Sequence, residues 1–368
     1  MTGQSISLTS SAGESARGRK RKNIRSEQAQ LGPQQPAKGQ SVPKAARPTG
    51  IPAGWRVIAA KEFADHISSV RFLVLTLILT LAAAAAVYSA AGQLKSVAPN
   101  ASGVSSLFLY LFFYHPQGSE VPTFVFFIAL LAPVLGIAFG FDGVNGERSE
   151  GTLPRLVSQP IHRDDVVNGK FVAGLAAISV IFVAIIGVVG AIGVLQLGLL
   201  PDLEEVLRLV IWVVLAVVYV GLWLAIALLC SVVFRRAATS ALVSIAIWLV
   251  LTLFASLFVG IVAGFLSPVG DGTSEEQIAN LTMQQNLARL SPSQLFTEAT
   301  RATLDPSVQT FDIGALVQVS NETRALPSIL SVEQSLLVVW PQFVGLIALT
   351  SGAFAVAYVS FMRQEVRA

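Results

Sequence analysis

The chain has 368 residues, of which 53% are hydrophobic and only 13% charged, with a mean hydropathy of +0.66. Soluble domains carry about 25% charged residues, so the composition excludes an ordinary water-soluble domain and implies an integral membrane protein. The single cysteine, Cys230, excludes a disulfide framework or a cysteine metal site, and His66, His115 and His162 lack the spacing of metal ligands. The net charge of +3 is small, so the placement of charge along the chain says more than its sum.

Residues 1–53 are rich in Ser, Gly, Gln, Pro and basic side chains and carry almost no large apolar ones. Such a segment cannot bury enough surface to fold, and a disordered basic cytoplasmic tail is expected. It is polar rather than charge-then-apolar, so no signal peptide is expected in it. Its Arg17-Gly-Arg-Lys-Arg-Lys22 run has a nucleic-acid reading and a membrane-surface reading; basic tails beside membrane spans commonly lie on anionic headgroups, and no nucleic-acid partner is expected. From Gly54 to Val70 the pattern changes. Trp55, Ile58, Ala59, Phe63, His66 and Ile67 recur near helical spacing, while Arg56, Lys61, Glu62 and Asp65 take the other positions. This predicts an amphipathic interfacial helix, with Trp55, Lys61, Glu62 and Phe63 as its marker residues, Trp55 at headgroup depth and His66 at the rim.

Six apolar stretches follow, at 71–92, 121–141, 171–199, 208–234, 237–266 and 335–362. Each supplies the ~20 residues that a bilayer crossing needs. Basic residues sit in the tail, in the 142–170 loop, at Arg235-Arg236 and at the C-terminus, whereas the alternate loops are poor in them. The asymmetry places both termini in the cytoplasm of a multi-pass plasma-membrane protein. Residues 267–334 are long for a connection and carry three arginines against eight acids. Helical periodicity from Glu275 to Leu304, broken at Ser291-Pro292, predicts a small helical cap outside the membrane. Three Asn-x-Ser/Thr sequons, at Asn100, Asn280 and Asn321, fall in expected outside segments and read as chance in loops of small polar residues.

Between the second and third stretches lies the one long charged segment, Phe141–Lys170. Within it Glu150–Ser158 can form a short helix with Leu153, Leu156 and Val157 on one stripe; Gly146 and Gly151 provide turns, and Pro160 ends the helix. A short helix, apolar beneath and charged above, suits docking to a soluble partner. Small residues at Gly136 and Gly140, and at Gly187, Gly190 and Gly193, read first as close packing between helices of one chain and second as a subunit interface. Pro133 and Pro341 are candidate kinks.

Chemistry-bearing patterns are missing. No apolar stretch has an Asp, Glu, Lys or Arg in its interior, so any transport is expected to draw energy from elsewhere. No GxxxxGK[ST] occurs: Gly169-Lys170 lacks the upstream glycine and is followed by Phe171. No catalytic, cofactor-binding or metal-binding residue is assigned, and the chain is not expected to be an enzyme.

The run Asp142-Gly-Val-Asn-Gly-Glu-Arg-Ser-Glu-Gly-Thr-Leu153, then Leu156-Val-Ser-Gln-Pro-Ile-His-Arg163 and Gly169-Lys170, resembles the signature of ABC-2 type transporter permeases. Ala60-Lys-Glu-Phe63 is similar to that family's interfacial helix, and Leu290-Ser-Pro-Ser-Gln-Leu-Phe296 resembles an element of the branch containing the nitrous-oxide-reductase maturation permease. The resemblance spans about 54–368 and implies an all-α permease domain that dimerises with a second copy or paralogue. It also implies two ABC ATPase subunits, which would bind the ATP and Mg that this chain does not. The coupling loop would comprise Glu147, Arg148, Glu150, Gly151, Thr152, Leu153, Arg155, Leu156, Pro160 and Arg163, with Pro154 departing from the usual pattern. The expected function is the permease of an ATP-driven exporter; the alternative is a membrane scaffold whose ATPase drives maturation of, or mechanical work on, an outer protein.

Overall fold

The structure, a computed structural model, describes residues 54–97, 107–114, 121–149, 151, 162–198, 200–270, 272–311, 313 and 329–364. The basic tail and the helix expected over Glu150–Ser158 lie outside them. Among the described residues every regular element is helical: α1 (Gly54–Ser68), α2 (Val70–Val97), α3 (Leu107–Phe113), α4 (Phe124–Gly140), α5 (Asn145–Ser149), α6 (Arg163–Leu197), α7 (Leu203–Val233), α8 (Ala237–Leu249), a π-helical turn (Val250–Phe254), α9 (Ala255–Leu266), α10 (Ser274–Ala288), α11 (Pro292–Leu304) and α12 (Val332–Arg363). Six helices are long and apolar enough to cross a membrane, in agreement with the six stretches read from sequence. The fifth crossing contains the π turn, which periodicity did not reveal.

Local chemistry sets the ends. Ser69 separates α1 from α2: its hydroxyl donates to His66 O (2.7 Å) and accepts from Phe72 N (3.1 Å), closing one helix and opening the next. Asp202 and Glu205 form a reciprocal capping box at the start of α7 (2.7 and 3.0 Å), and Ser331 with Gln334 does the same for α12. Gly198, at φ +71°, ends α6 in the left-handed conformation that other residues rarely adopt.

Helix α7 is the axis of the bundle and the most buried of the six crossings. Trp212, Tyr219 and Trp223 on it are fully buried, together with Phe124, Phe182 and Phe296 from its neighbours. Gly136 and Gly140 let α4 lie directly on α7: an added Cβ would come 2.5 Å from Val220 O and 2.7 Å from Leu224 O. Gly193 likewise accommodates Phe108 and Leu111 of α3. These glycines serve packing within the chain. Gly187, by contrast, has nothing within 4 Å of its Cβ position.

The expected cap takes a different place. Its two helices form as read and break at Ser291-Pro292, but α11 packs inside the bundle. Phe296 stacks on Tyr219 (4.3 Å between centroids), Trp212 Nε1 donates to Thr300 Oγ1 (3.2 Å), and Ser291 Oγ donates to Leu251 O (2.6 Å). Tyr219 stands midway along α7, so the α10–α11 turn re-enters to the middle of the bundle. Leu295, Phe296, Ala299 and Ala302 give α11 a buried apolar stripe, while its polar groups are met by partners inside the protein. On α10, the buried Asn280 amide donates to Ala263 O (3.2 Å) and Ser267 O (2.6 Å), tying α10 to α9, so this sequon is structural.

Replacing Gly140 by Leu forces side-chain atoms against the α7 backbone and is expected to cost at least the ~1–3 kcal/mol of ordinary overpacking. Gly187→Ala should leave stability unchanged or slightly raised. Thermal unfolding of the two variants in detergent checks the pair.

Candidate functional site

The charged loop is built into one end of the bundle by α1, α5 and the first turns of α6. Gly169 sets the first approach: a Cβ there would lie 2.7 Å from Ile58 Cγ2 and 3.0 Å from Trp55 O, so only glycine lets α1 lie this close to α6. The next residue, Lys170, is 7% exposed and places its ammonium 3.0 Å from Glu62 Oε1 and 2.8 Å from Glu147 Oε1. Three sequence-distant segments thus share one buried cation. Glu62, read from sequence among the polar positions of the interfacial helix, turns inward to the Lys170 ammonium.

The α5 turn is fixed independently. The backbone N–H groups of Val144 and Asn145 both donate to Ser231 Oγ (2.9 and 3.1 Å), and the Asn145 amide donates to Phe141 O (3.1 Å). Arg148 bonds the Gln364 side chain, Arg163 Nη2 donates to Gln364 O (2.9 Å), and Gln364 Nε2 donates to Val232 O (2.6 Å). Both ends of the loop therefore converge on one residue at the end of α12. Asp142 pairs with Arg71, whose guanidinium also lies over the Phe141 ring (5.1 Å).

A cavity of about 380 Å³ opens beside this cluster, bordered by Lys61, Glu62, Asp65, His66, Asp142 and Glu147. Burial alone would raise the Glu62 carboxyl, but the Lys170 ammonium, with help from Lys61, holds it below its ordinary value of 4.5. Burial lowers His66 below 6.5; Lys170 adds to this and Glu62 partly opposes it. The imidazole packs at a tilt of 39° against the Phe139 ring, 4.9 Å between centroids, a half-buried rim position as read from sequence. Among the described residues no group of His, Cys, Asp or Glu is arranged to hold a metal ion.

Of the predicted loop residues, Glu147, Arg148 and Arg163 are drawn into this network, and Gly151 takes φ +69°. Glu150, Thr152, Leu153, Arg155, Leu156 and Pro160 lie outside the described residues. In α1, Phe63 packs on the main core and Trp55 carries Arg56 over its ring at 5.3 Å, while Lys61 bridges Glu62 and Asp65 (3.4 and 3.1 Å). Ser231 and Gln364 were missed; neither stands in a motif, and only the folded contacts reveal them.

The sequence model of the ABC-2 family transporter protein matches residues 56–366, from α1 through α12. The chain belongs to that family. No curated protein matches the chain. As an ABC-2 family member with six apolar crossings it is a multi-pass membrane protein and a permease subunit of an ABC transporter, a class that generally works with an ABC ATPase subunit. The motif residues of the permease acquire physical reasons here: Gly169 for close approach, Lys170 and Glu147 for the buried ion cluster, and Arg148 and Arg163 for the clasp on Gln364.

Two outcomes are expected. Lys170→Met strands two buried carboxylates and should destabilise by ~3–5 kcal/mol, the usual cost of breaking a buried pair; adding Glu62→Gln and Glu147→Gln should restore much of this in chemical denaturation. The second concerns pH. A histidine whose folded pKa is depressed opposes protonation of the fold, so stability falls as pH drops below 6.5. The depressed Glu62 contributes fully above 4.5, and its share is lost as pH falls through its lower folded value. A pH series of melting temperatures should show the first decline in wild type and its absence in His66→Phe.

Proposed function

We propose that the chain is the membrane half of an ATP-driven exporter that binds a separate cytoplasmic ATPase through the segment between α4 and α6. The observation carrying this reading is the convergence of both ends of that segment on rigid partners: Glu147 on Lys170, and Arg148 and Arg163 on Gln364. Arg155 and Leu156 lie between those anchors in the sequence and are the residues assigned to the ATPase contact. A displacement delivered there reaches α6 through Arg163, α12 through Gln364 and α7 through Ser231 and Val232.

On this reading the loop and both termini face the cytoplasm from the plasma membrane, and ATP and Mg are held by the partner, since no phosphate-binding GxxxxGK[ST] stands in this chain. Helix α1 lies along the cytoplasmic interface against lipid headgroups. The largely exposed apolar α8–α9 faces, including Leu242, Leu257, Phe258 and Phe265, suit a second permease copy or paralogue. The Leu290–Phe296 element supports a place near the nitrous-oxide-reductase maturation branch.

Glu147 and Arg148 are committed within the fold, so Arg155→Glu with Leu156→Asp is the diagnostic variant. Tagged wild type purified in mild detergent should carry an ABC ATPase identifiable by mass spectrometry. The double variant should lose it, with at least about tenfold less ATPase recovered, as expected when a docking contact costs ~1.4 kcal/mol or more, and with an unchanged melting temperature. If wild type carries no ATPase while remaining dimeric, the coupling assignment fails, and the scaffold reading with a partner on the opposite face replaces it.

A further inference from the structure

We propose that the arginines gathered around Gln364 hold the headgroup of an anionic phospholipid, whose acyl chains lie along the end of α12. Arg148 bonds the Gln364 side chain, Arg163 Nη2 donates to its carbonyl (2.9 Å), and Arg363 precedes it in the chain. Gln364 Nε2 in turn donates to Val232 O (2.6 Å) at the end of α7, just before Arg235 and Arg236. These like charges thus stand where two membrane crossings, α7 and α12, end.

The group has no counter-charge of its own. Among the described residues no carboxylate pairs with any of these arginines, and Arg148 and Arg163 hydrogen-bond only the neutral amide and carbonyl of Gln364. The acids close to them in sequence are engaged elsewhere: Glu147 meets Lys170 (2.8 Å), Asp142 meets Arg71, and Asp165 accepts from His162 N (3.3 Å). Asp164, beside Arg163, forms no ion pair with a described residue. Outside the described residues the adjoining segments add Glu150 with Arg155 and Glu365 with Arg367, which cancel. Lys170, at the same end, has two carboxylates; the arginines are left to a partner from outside the chain.

Chemistry narrows that partner. The fork of donors on a guanidinium matches the oxygens of a phosphodiester. Arg235, Arg236 and Arg363 are exposed, and among the described residues their guanidinium groups make no bond, so their donors are available. A small soluble anion would use the charge alone, as would an acidic patch on a protein. Here the charge continues into apolar surface: exposed Val356 and Val359 share a helical face with Arg363, and exposed Met362 and Val233 flank the basic residues. Positive charge at the membrane surface with an apolar strip running into the bilayer fits an amphiphile of the leaflet at this end. Because Gln364 also receives Arg148 and Arg163, a bound headgroup relieves the repulsion within the clasp and steadies the loop end.

The test uses the full chain in detergent without any ATPase, so its outcome is independent of the coupling assignment above. Native mass spectrometry compares retention of dioleoyl phosphatidylglycerol with that of dioleoyl phosphatidylcholine, which has the same acyl chains. One phosphatidylglycerol should be retained saturably, at least about tenfold more tightly than phosphatidylcholine, and should raise the melting temperature. Arg235→Gln, Arg236→Gln and Arg363→Gln together should bring the two lipids to within about twofold of each other. Arg56→Gln, Lys95→Gln and Arg301→Gln remove the same charge from exposed positions elsewhere and should leave the preference intact. If the first triple variant does not fold, Arg363→Gln alone carries the test, with at least about a threefold loss. Equal retention of both lipids by wild type, equal losses in the two triple variants, or displacement by glycerol phosphate as readily as by the lipid overturns the proposal. If wild type shows no preference and the first triple variant instead loses the ATPase in the purification described above, the arginines belong to a protein contact.

Discussion

One buried ammonium organises the loop end of this permease. Lys170 has left water almost completely, and its desolvation is tolerable only because two carboxylates meet it within 3.0 Å. Glu62 comes from α1 and Glu147 from the α5 turn, so neither helix can shift without exposing a charge in a poorly solvated place. Gly169 makes the arrangement sterically possible and Lys170 makes it electrostatically binding. Adjacent in sequence, they act as one device.

The same constraint operates at the other end with different chemistry. Arg208 is 1% exposed and donates to Thr303 O (3.0 Å), Ser335 Oγ (2.9 Å), Leu330 O (2.6 Å) and Glu204 Oε1 (3.0 Å). Glu298 is held by Arg289, Gln294 and Gln342. Away from water each polar group must find its partner inside the protein, and these networks provide partners for an α11 that a purely apolar criterion would have left outside. They also revise the inference that ionisable groups are lacking within the bundle: the apolar stretches lack them, but the re-entrant helix brings Glu298 in from elsewhere in the chain.

Six crossings, the break at Ser291-Pro292 and the importance of the Phe141–Lys170 segment were legible because each leaves a local trace: an apolar run of sufficient length, a helix-breaking pair, a density of charge. The family was legible for the same reason, since its motif is contiguous. What could not be read is what depends on contact between distant residues. Glu62 lies among polar neighbours in sequence and gives no sign that it faces Lys170. Ser231 and Gln364 have no motif, yet they receive the loop backbone and its arginines. The depth of α11 was hidden because its mean apolarity is low, while its burial depends on a narrow stripe and on hydrogen bonds supplied by α7, α10 and α12. The π turn has no periodic signature at all.

That π turn joins the re-entrant helices to the fifth crossing. A π turn breaks the regular i→i+4 hydrogen-bond ladder of its helix, and here Ser291 Oγ donates to Leu251 O while Thr252 Oγ1 and Ser293 Oγ lie 2.9 Å apart. Ser293 Oγ is in turn 3.2 Å from Tyr219 Oη, which donates to Ala129 O on α4 (2.9 Å). A chain of hydroxyls thus crosses the bundle from the π turn through the α11 N-terminus and α7 to α4. Helix α7 carries Tyr219 in this chain, Arg208 near one end and Ser231 at the other, so the loop cluster and the re-entrant helices are fastened to one rigid rod. Any motion imposed on the loop end must either carry α7 with it or break a buried hydrogen bond, and the first costs less when the rod moves as a unit.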